Sequence, residues 1–346
     1  MPPPVDLACV VHCHSTHSDG TGTVGEIARA AARAGADVVL LTDHDTLAAR
    51  RHGEERWHGD VLVCVGEEVS PRGGNHYLAF GIDREISNRL APADVVAAVR
   101  AAGGFGFMAH PFSRGSEPFG RAGMPWDEVD LPGATGVELW SWVTDTAEAL
   151  RGARDALGFV LTPQRLVDDP PAGNLAAWDA LCARRRVVAI GGIDAHQFGV
   201  RVAGRVPVRL MSYTRSFRHL RTHVLVDGPP TGDAATDRES VYRALRAGRC
   251  YLAIDSIAPA RGFALSSDDA PMGAESAFRD GDVVRASVPR PASLTLLRDG
   301  EIVGRRHGTT IEHRAERPGA YRVEARLPAH GRERTWIVSN PVYLRG

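Results

Sequence analysis

Lysine is missing from this chain: all 41 basic residues are arginine. That excludes Schiff-base catalysis, a pyridoxal-phosphate lysine and a P-loop lysine, each of which needs a primary amine. Cysteine is scarce. Cys9, Cys13, Cys64, Cys182 and Cys250 are scattered, odd in number and free of any CxxC pair, so neither a disulfide framework nor a zinc finger fits. Net charge is nearly absent, −1 from 41 basic and 42 acidic residues, and a chain without a basic field is not expected to bind a nucleic-acid polymer. No apolar run approaches the ~20 residues of a membrane span, so no membrane partner is expected either. The start, MPPPVDLACVVH, has neither a basic n-region nor a long apolar h-region, and no signal peptide is read there. A reducing cytoplasm and a small-molecule substrate are the expectations that remain.

Hydrophobic residues make up 43% and charged residues 24% of the 346, as in ordinary globular proteins, and the length suggests about two domains. Residues 5 to about 255 alternate short apolar runs with alanine- and arginine-rich segments. DLACVV, ADVVLLT, VLVCVG, GFGFMA, TGVELW and RVVAIGG lack polar alternation, which suits parallel strands covered on both faces. Between the first two lies TVGEIARAAARAG, where Thr23 and Glu26 have capping-box spacing and Gly35 is a stop. Alternation of this kind predicts repeated βα units, hence an α/β barrel or an open parallel sheet. From Ser256 the texture changes to short segments with period-two alternation and Gly- and Pro-bearing turns, Arg298-Asp299-Gly300-Glu301 among them. We read residues 1–258 as an α/β unit and 259–346 as a small, sandwich-like all-β domain.

The informative feature is what ends the apolar runs. His12 and His14 end the first, Asp43 and His44 the second, and Glu67 and Glu68 the third. His110 ends GFGFMA, and Asp194 and His196 follow VVAIGG. In a β/α barrel the C-terminal strand ends converge on one mouth, where active sites sit. Residues two apart on a strand face the same way, so His12 and His14 project together while Cys13 points to the helical layer. Imidazoles mixed with carboxylates suit Zn, Mn or Fe, and the set is too large for one tetrahedral ion, so two or three divalent ions are expected. Burying so much ionisable material without metal would be costly.

At these residues the sequence resembles the PHP (polymerase and histidinol phosphatase) superfamily. His12-Cys13-His14-Ser15-Thr16-His17-Ser18-Asp19-Gly20 matches HxHSxxSDG, and Thr42-Asp43-His44-Asp45 matches TDHD. Gly66-Glu67-Glu68-Val69-Ser70 resembles GxExS, which selects Glu68 over Glu67; Asn75-His76-Tyr77-Leu78 fits the following His motif. Ala109-His110-Pro111 and Gly192-Ile193-Asp194-Ala195-His196 fit AHP and GxDAH. Segments such as GVELWSW and RAGRCYLA, with the C-terminal β region, resemble the carbaryl-hydrolase-like (CehA/McbA-type) branch. The resemblance implies a distorted seven-stranded β/α barrel with a di- or trinuclear site. His12, His14, Glu68 and Asp194 would hold one ion, Glu68 with His76 and His110 a second, and Asp19, His44 and His196 a third. His76 enters through the resemblance alone. Asp43 is expected behind the ligands, and Glu138, at the end of GVELW, is expected either behind them or facing substrate.

These readings imply a metal-dependent hydrolase, with a phosphoesterase acting on a small phosphomonoester or nucleotide as the leading form. Asp194 or His196 would shuttle the proton to the leaving group. Arg72 and Arg114 follow metal-motif residues closely and could match phosphate charge at the mouth. Carbamate, ester or amide hydrolysis is the rival chemistry, with Trp140 and Trp142 as apolar contacts; a metal-stabilised binding module is the rival outside enzymology. His17 competes with Asp19 for the third ion, but it occupies a variable position of HxHSxxSDG. The Ser18-Asp19-Gly20 turn can bend the acidic side chain over the mouth, leaving His17 on the loop surface.

Overall fold

The structure is a computed structural model that describes residues 4–161, 169–197, 199–202, 205–209, 211–268 and 270–346. The first three apolar runs form strands β1 (Val5–Val11), β2 (Val38–His44) and β3 (Val61–Val69), parallel neighbours in one sheet. They are covered on both faces, β3 along its whole length. Helix α1 (Val24–Ala34) joins the first two. Its capping box closes through Thr23 and Glu26, Gly35 ends it at φ 79°, and Val24, Ile27, Ala28, Ala30 and Ala31 form its buried face.

The next strand breaks the parallel repeat. β4 (Tyr77–Phe80) runs antiparallel to β3 and to β5 (Phe105–Met108). Residues 70–76 are too few for a parallel crossover, which needs about a dozen. β6 (Gly136–Ser141) and β7 (Val188–Gly192) return to the parallel direction. Beyond β1, β8 (Leu220–Val226) and β9 (Cys250–Ile254) pair antiparallel. The fold is therefore mixed α/β, where the sequence pattern predicts parallel strands throughout. At the ligand-bearing end the sheet curls back: Ile193 N–H donates to Val11 C=O at 2.9 Å, and Cys13 bridges to Ala195.

The C-terminal segments pair as β10 (Ala264–Ser267), β11 (Val283–Arg298), β12 (Glu301–Arg314), β13 (Gly319–Ala329), β14 (Arg332–Ser339) and β15 (Val342–Arg345). β11 and β12 form a hairpin turning at Asp299 (φ 50°) and Gly300 (φ 84°), the paired positive angles of a type I′ turn. Their sheet is continuous with the first: β14 pairs with β9, Leu252 opposite Val338. Position 258 falls between β9 and β10, and bonds cross the seam it marks. The Asn340 side chain accepts from Ala189 N and donates to Ala189 O and Cys250 O, each at 2.8 Å. All five cysteines are buried and free, and among the described residues no helix is long and apolar enough to cross a membrane.

One charged contact ties the C-terminal strands to helix α2 (Ala172–Arg184). Arg322, 2% exposed, makes a bidentate pair with Asp179 at 2.6 and 2.7 Å and a third bond to Glu324 at 2.7 Å. Truncating one partner of such a pair leaves a buried charge unpaired. Arg322→Ala is therefore expected to cost about 3–5 kcal/mol of unfolding free energy in urea titration. A loss below about 1 kcal/mol would show that Asp179 finds water as a substitute.

Candidate metal centre

Nine side chains meet where the strands end: His12, His14, Asp19, His44, Glu68, His76, His110, Asp194 and His196. Glu68, 1% exposed on β3, is the hub. Its Oε1 faces His76 Nδ1 at 2.8 Å and His110 Nε2 at 3.4 Å. Its Oε2 faces His12 Nε2, His14 Nε2 and His44 Nδ1 at 3.2, 3.3 and 3.2 Å. Asp194 Oδ1 stands 3.5 Å from His12 Nε2, 3.4 Å from His14 Nε2 and 3.5 Å from His196 Nδ1. Asp19, half exposed at the rim, stands 3.2 Å from His196 Nε2, 3.8 Å from His14 Nδ1 and 3.7 Å from His44 Nε2. The chain is bent to achieve this. His12, His110 and Asp194 take left-handed backbone angles of 63°, 31° and 56° just past their strands, a strain concentrated at functional sites.

Neighbours aim the rings. His12 Nδ1 bonds Glu138 Oε1 at 2.8 Å, leaving Nε2 to face the cluster, while Glu138 Oε2 accepts from His110 N–H at 2.7 Å. Glu138 is 1% exposed, and its two oxygens are committed to the His12 ring and the His110 backbone. His44 Nδ1 lies 2.7 Å from Ser70 Oγ, and His110 Nδ1 lies 3.3 Å from Met124 O. Thr144 donates to Asp194 Oδ2 at 3.0 Å. Asp43 is also buried behind the cluster; it accepts from Ser15 N–H, Ser15 O–H and Ser18 O–H at 2.6–2.7 Å and so shapes the loop that carries Asp19.

Electrostatics follow from this crowding. Burial opposes charge on Glu68 and Asp194, yet the surrounding imidazoles, His12 foremost, hold both well below the usual carboxylate range. Burial likewise disfavours charge on His196, but Asp194 and Asp19 outweigh it and raise its pKa to about 9. Glu67 points the other way along β3. Burial lifts it to about 8, and it accepts a bond from Ile86 N–H, outside the cluster.

His17 lies off the cluster, its Nε2 2.6 Å from Glu54 and its ring 5.1 Å from that of His52. Arg72 and Arg114 are both exposed. Trp140 and Trp142 are 1% exposed and pack in the core. Thr144 and Met124 are neighbours of the cluster that no sequence pattern marked.

The donor set suits divalent transition ions: six imidazoles and three carboxylates within one space. His14 gives the sharpest test of fit. It is fully buried, and neither Nδ1 nor Nε2 has a hydrogen-bond partner among the described residues. A buried imidazole left so is costly unless a ligand takes its lone pair.

No family model matches the chain, and no curated protein does. Solved structures do. One is a two-domain protein from Bacteroides vulgatus containing a predicted PHP-like metal-dependent phosphoesterase; it is 16% identical over 97% of this chain and 95% of its own, with a TM-score of 0.47. A second, from Bifidobacterium adolescentis and described as a metal-dependent phosphoesterase, is 17% identical over 60% of this chain and 91% of its own, with a TM-score of 0.36. A third is an amidohydrolase from Chromobacterium violaceum with bound sulfate and no metal, 19% identical over 54% of this chain and 87% of its own, with a TM-score of 0.31. Likenesses of this size carry no argument about the activity of this chain.

Two outcomes follow from the geometry. Glu138→Gln, which weakens the acceptor behind His12, is expected to lower ion affinity about 10–100-fold in chelator competition. Asp19→Ala is expected to lose one ion by elemental analysis, while His17→Ala keeps the full complement. The reverse pattern would place the third ion on His17 and its neighbours.

Proposed function

We propose that the chain is a metal-dependent hydrolase of the polymerase and histidinol phosphatase kind, a phosphoesterase acting on a small phosphomonoester or nucleotide. In this reading residues 1–258 form the distorted seven-stranded barrel and 259–346 the sandwich-like β domain. The observation that carries it is the cluster around Glu68, with His14 buried inside it and neither of its ring nitrogens hydrogen-bonded among the described residues. His12, His14, Glu68 and Asp194 would hold one ion, Glu68, His76 and His110 a second, and Asp19, His44 and His196 a third, drawn from Mn, Zn or Fe. When bound, such ions supply Lewis acidity and bring the pKa of a water near neutrality.

The chain's own residues divide the remaining work. Asp194 has one oxygen held by Thr144 and the other turned to the imidazoles, and in this reading it takes a proton and returns it to the leaving oxygen. His196, 3.5 Å away, is the second station for that proton. Arg72 and Arg114 match the phosphate charge from the loops that carry His76 and His110. A carbamate, ester or amide substrate is the second reading. It is weakened by the burial of Trp140 and Trp142, which removes the expected aromatic contacts from the mouth. The partner is a small molecule, neither a nucleic-acid polymer nor a membrane, in a cytoplasmic setting.

A panel of phosphomonoesters beside aryl carbamates and esters, with Mn, Zn and Fe each supplied, decides between the chemistries. Phosphomonoester turnover is expected, and Asp194→Asn is expected to lower kcat by about 10²-fold or more. Carbamate or ester turnover without phosphoester turnover would reverse the choice.

A further inference from the structure

We infer that Tyr213 is a positioning residue that holds the proposed third ion's ligands in place from behind, through the backbone. This inference rests on the multinuclear reading above. Three of the four residues grouped there, His14, Asp19 and His196, come from two loops, residues 12–22 and 194–197. The Tyr213 hydroxyl lies at their junction. It donates to His14 C=O at 2.7 Å, the His196 C=O lies 3.3 Å from the same oxygen, and Gly22 N–H donates to it at 3.3 Å.

His14 needs this hold more than its neighbours do. The rings of His12 and His110 are each aimed by a bond to the nitrogen turned away from the cluster, and His44 is held at Nδ1 by Ser70. His14 has no such bond: both its nitrogens face carboxylates of the cluster, and its ring stacks on His44 and His196, with centroids 4.4 and 4.1 Å apart. Its direction is therefore set by its backbone. That backbone is fixed by two bonds: His14 N–H to Ala195 O at 3.0 Å, and His14 C=O from Tyr213. The phenol ring also seats against Gly22, where an added Cβ would stand 2.6 Å from the ring edge. Thr21 continues the stitching, donating from N–H to His196 O at 3.1 Å and from O–H to Gln197 O at 3.0 Å. Tyr213 is buried and acts through the carbonyls of His14 and His196.

The test is Tyr213→Phe, which keeps the ring and removes the hydroxyl. Tyr242→Phe is the control, because Tyr242 is buried against Phe80 and Phe105, away from the cluster, with its hydroxyl unpartnered among the described residues. Cobalt is titrated into metal-free protein, with stoichiometry, affinity and visible spectrum recorded, and the melting temperature of the metal-free protein measured in parallel. Tyr213→Phe is expected to weaken the last ion about 10–100-fold, as loss of an outer-sphere support does, and to alter its cobalt bands alone. Tyr242→Phe is expected to leave all ions unchanged. Unchanged affinities and spectrum in Tyr213→Phe would overturn the inference. Equal weakening of every ion together with a lower metal-free melting temperature would also overturn it, by showing a general structural role. Failure of the unsubstituted protein to bind any cobalt would instead remove the multinuclear reading itself.

Discussion

One buried carboxylate facing five imidazoles is the constraint on which the rest of the structure turns. Glu68 has no access to water, and His12, His14, His44, His76 and His110 all approach its two oxygens within 3.4 Å. No single strand could supply such a set. It requires chain segments far apart in sequence to end at the same height, which a curled sheet does at one rim. The left-handed angles at His12, His110 and Asp194 belong to the same requirement, since a continuing strand would carry those side chains past the rim. Strain of this kind persists only where the surroundings over-determine it, and the bonds from Glu138 to both His12 and His110 do that for two of the three.

Much of the site was legible in the sequence because it obeys the strand-end rule. Apolar runs closing on His12 and His14, His44, Glu68, His110, and Asp194 with His196 announce a rim, and the structure brings them together. What escaped has a common physical origin. His76 directly precedes the antiparallel strand β4, so it reaches the rim at the start of a strand and not at its end, and Tyr213 opens a short helix, Tyr213–Phe217, ahead of β8. A rule built on parallel repeats cannot see them, and only the motif resemblance supplied His76. Glu138 was legible as a strand-end carboxylate, but its role depends on a 2.8 Å contact across 126 residues, which no local pattern encodes.

The fold was legible to a similar degree. The capping box on α1 and the Asp299-Gly300 turn are local chemistry, and both form as the residues dictate. Sheet direction is not local. β4 is antiparallel because residues 70–76 are too few for a crossover, a matter of loop length rather than of strand composition. Continuity across β9 and β14 was equally invisible, since each is an unremarkable apolar run and their pairing spans about ninety positions of chain.

That continuity gives the C-terminal strands a place in the site's mechanics. Strand β7 leads directly into Asp194 and His196, so any slip along it would displace two of the cluster's members. Its start is held by the Tyr343 hydroxyl, which accepts from Val187 N–H at 3.2 Å. Its second residue, Ala189, is bound on both backbone groups by the Asn340 amide. Farther along, Thr222 on β8 accepts from Gly191 N–H at 2.9 Å. Gly192 then lies so close to Glu138 that a Cβ there would meet its Oε1 at 1.7 Å, which fixes the strand's approach to the carboxylate behind His12. Tyr343 and Asn340 belong to the C-terminal region, none of whose described residues is in the cluster. Those bonds join the C-terminal strands to β7, the strand that leads into Asp194 and His196.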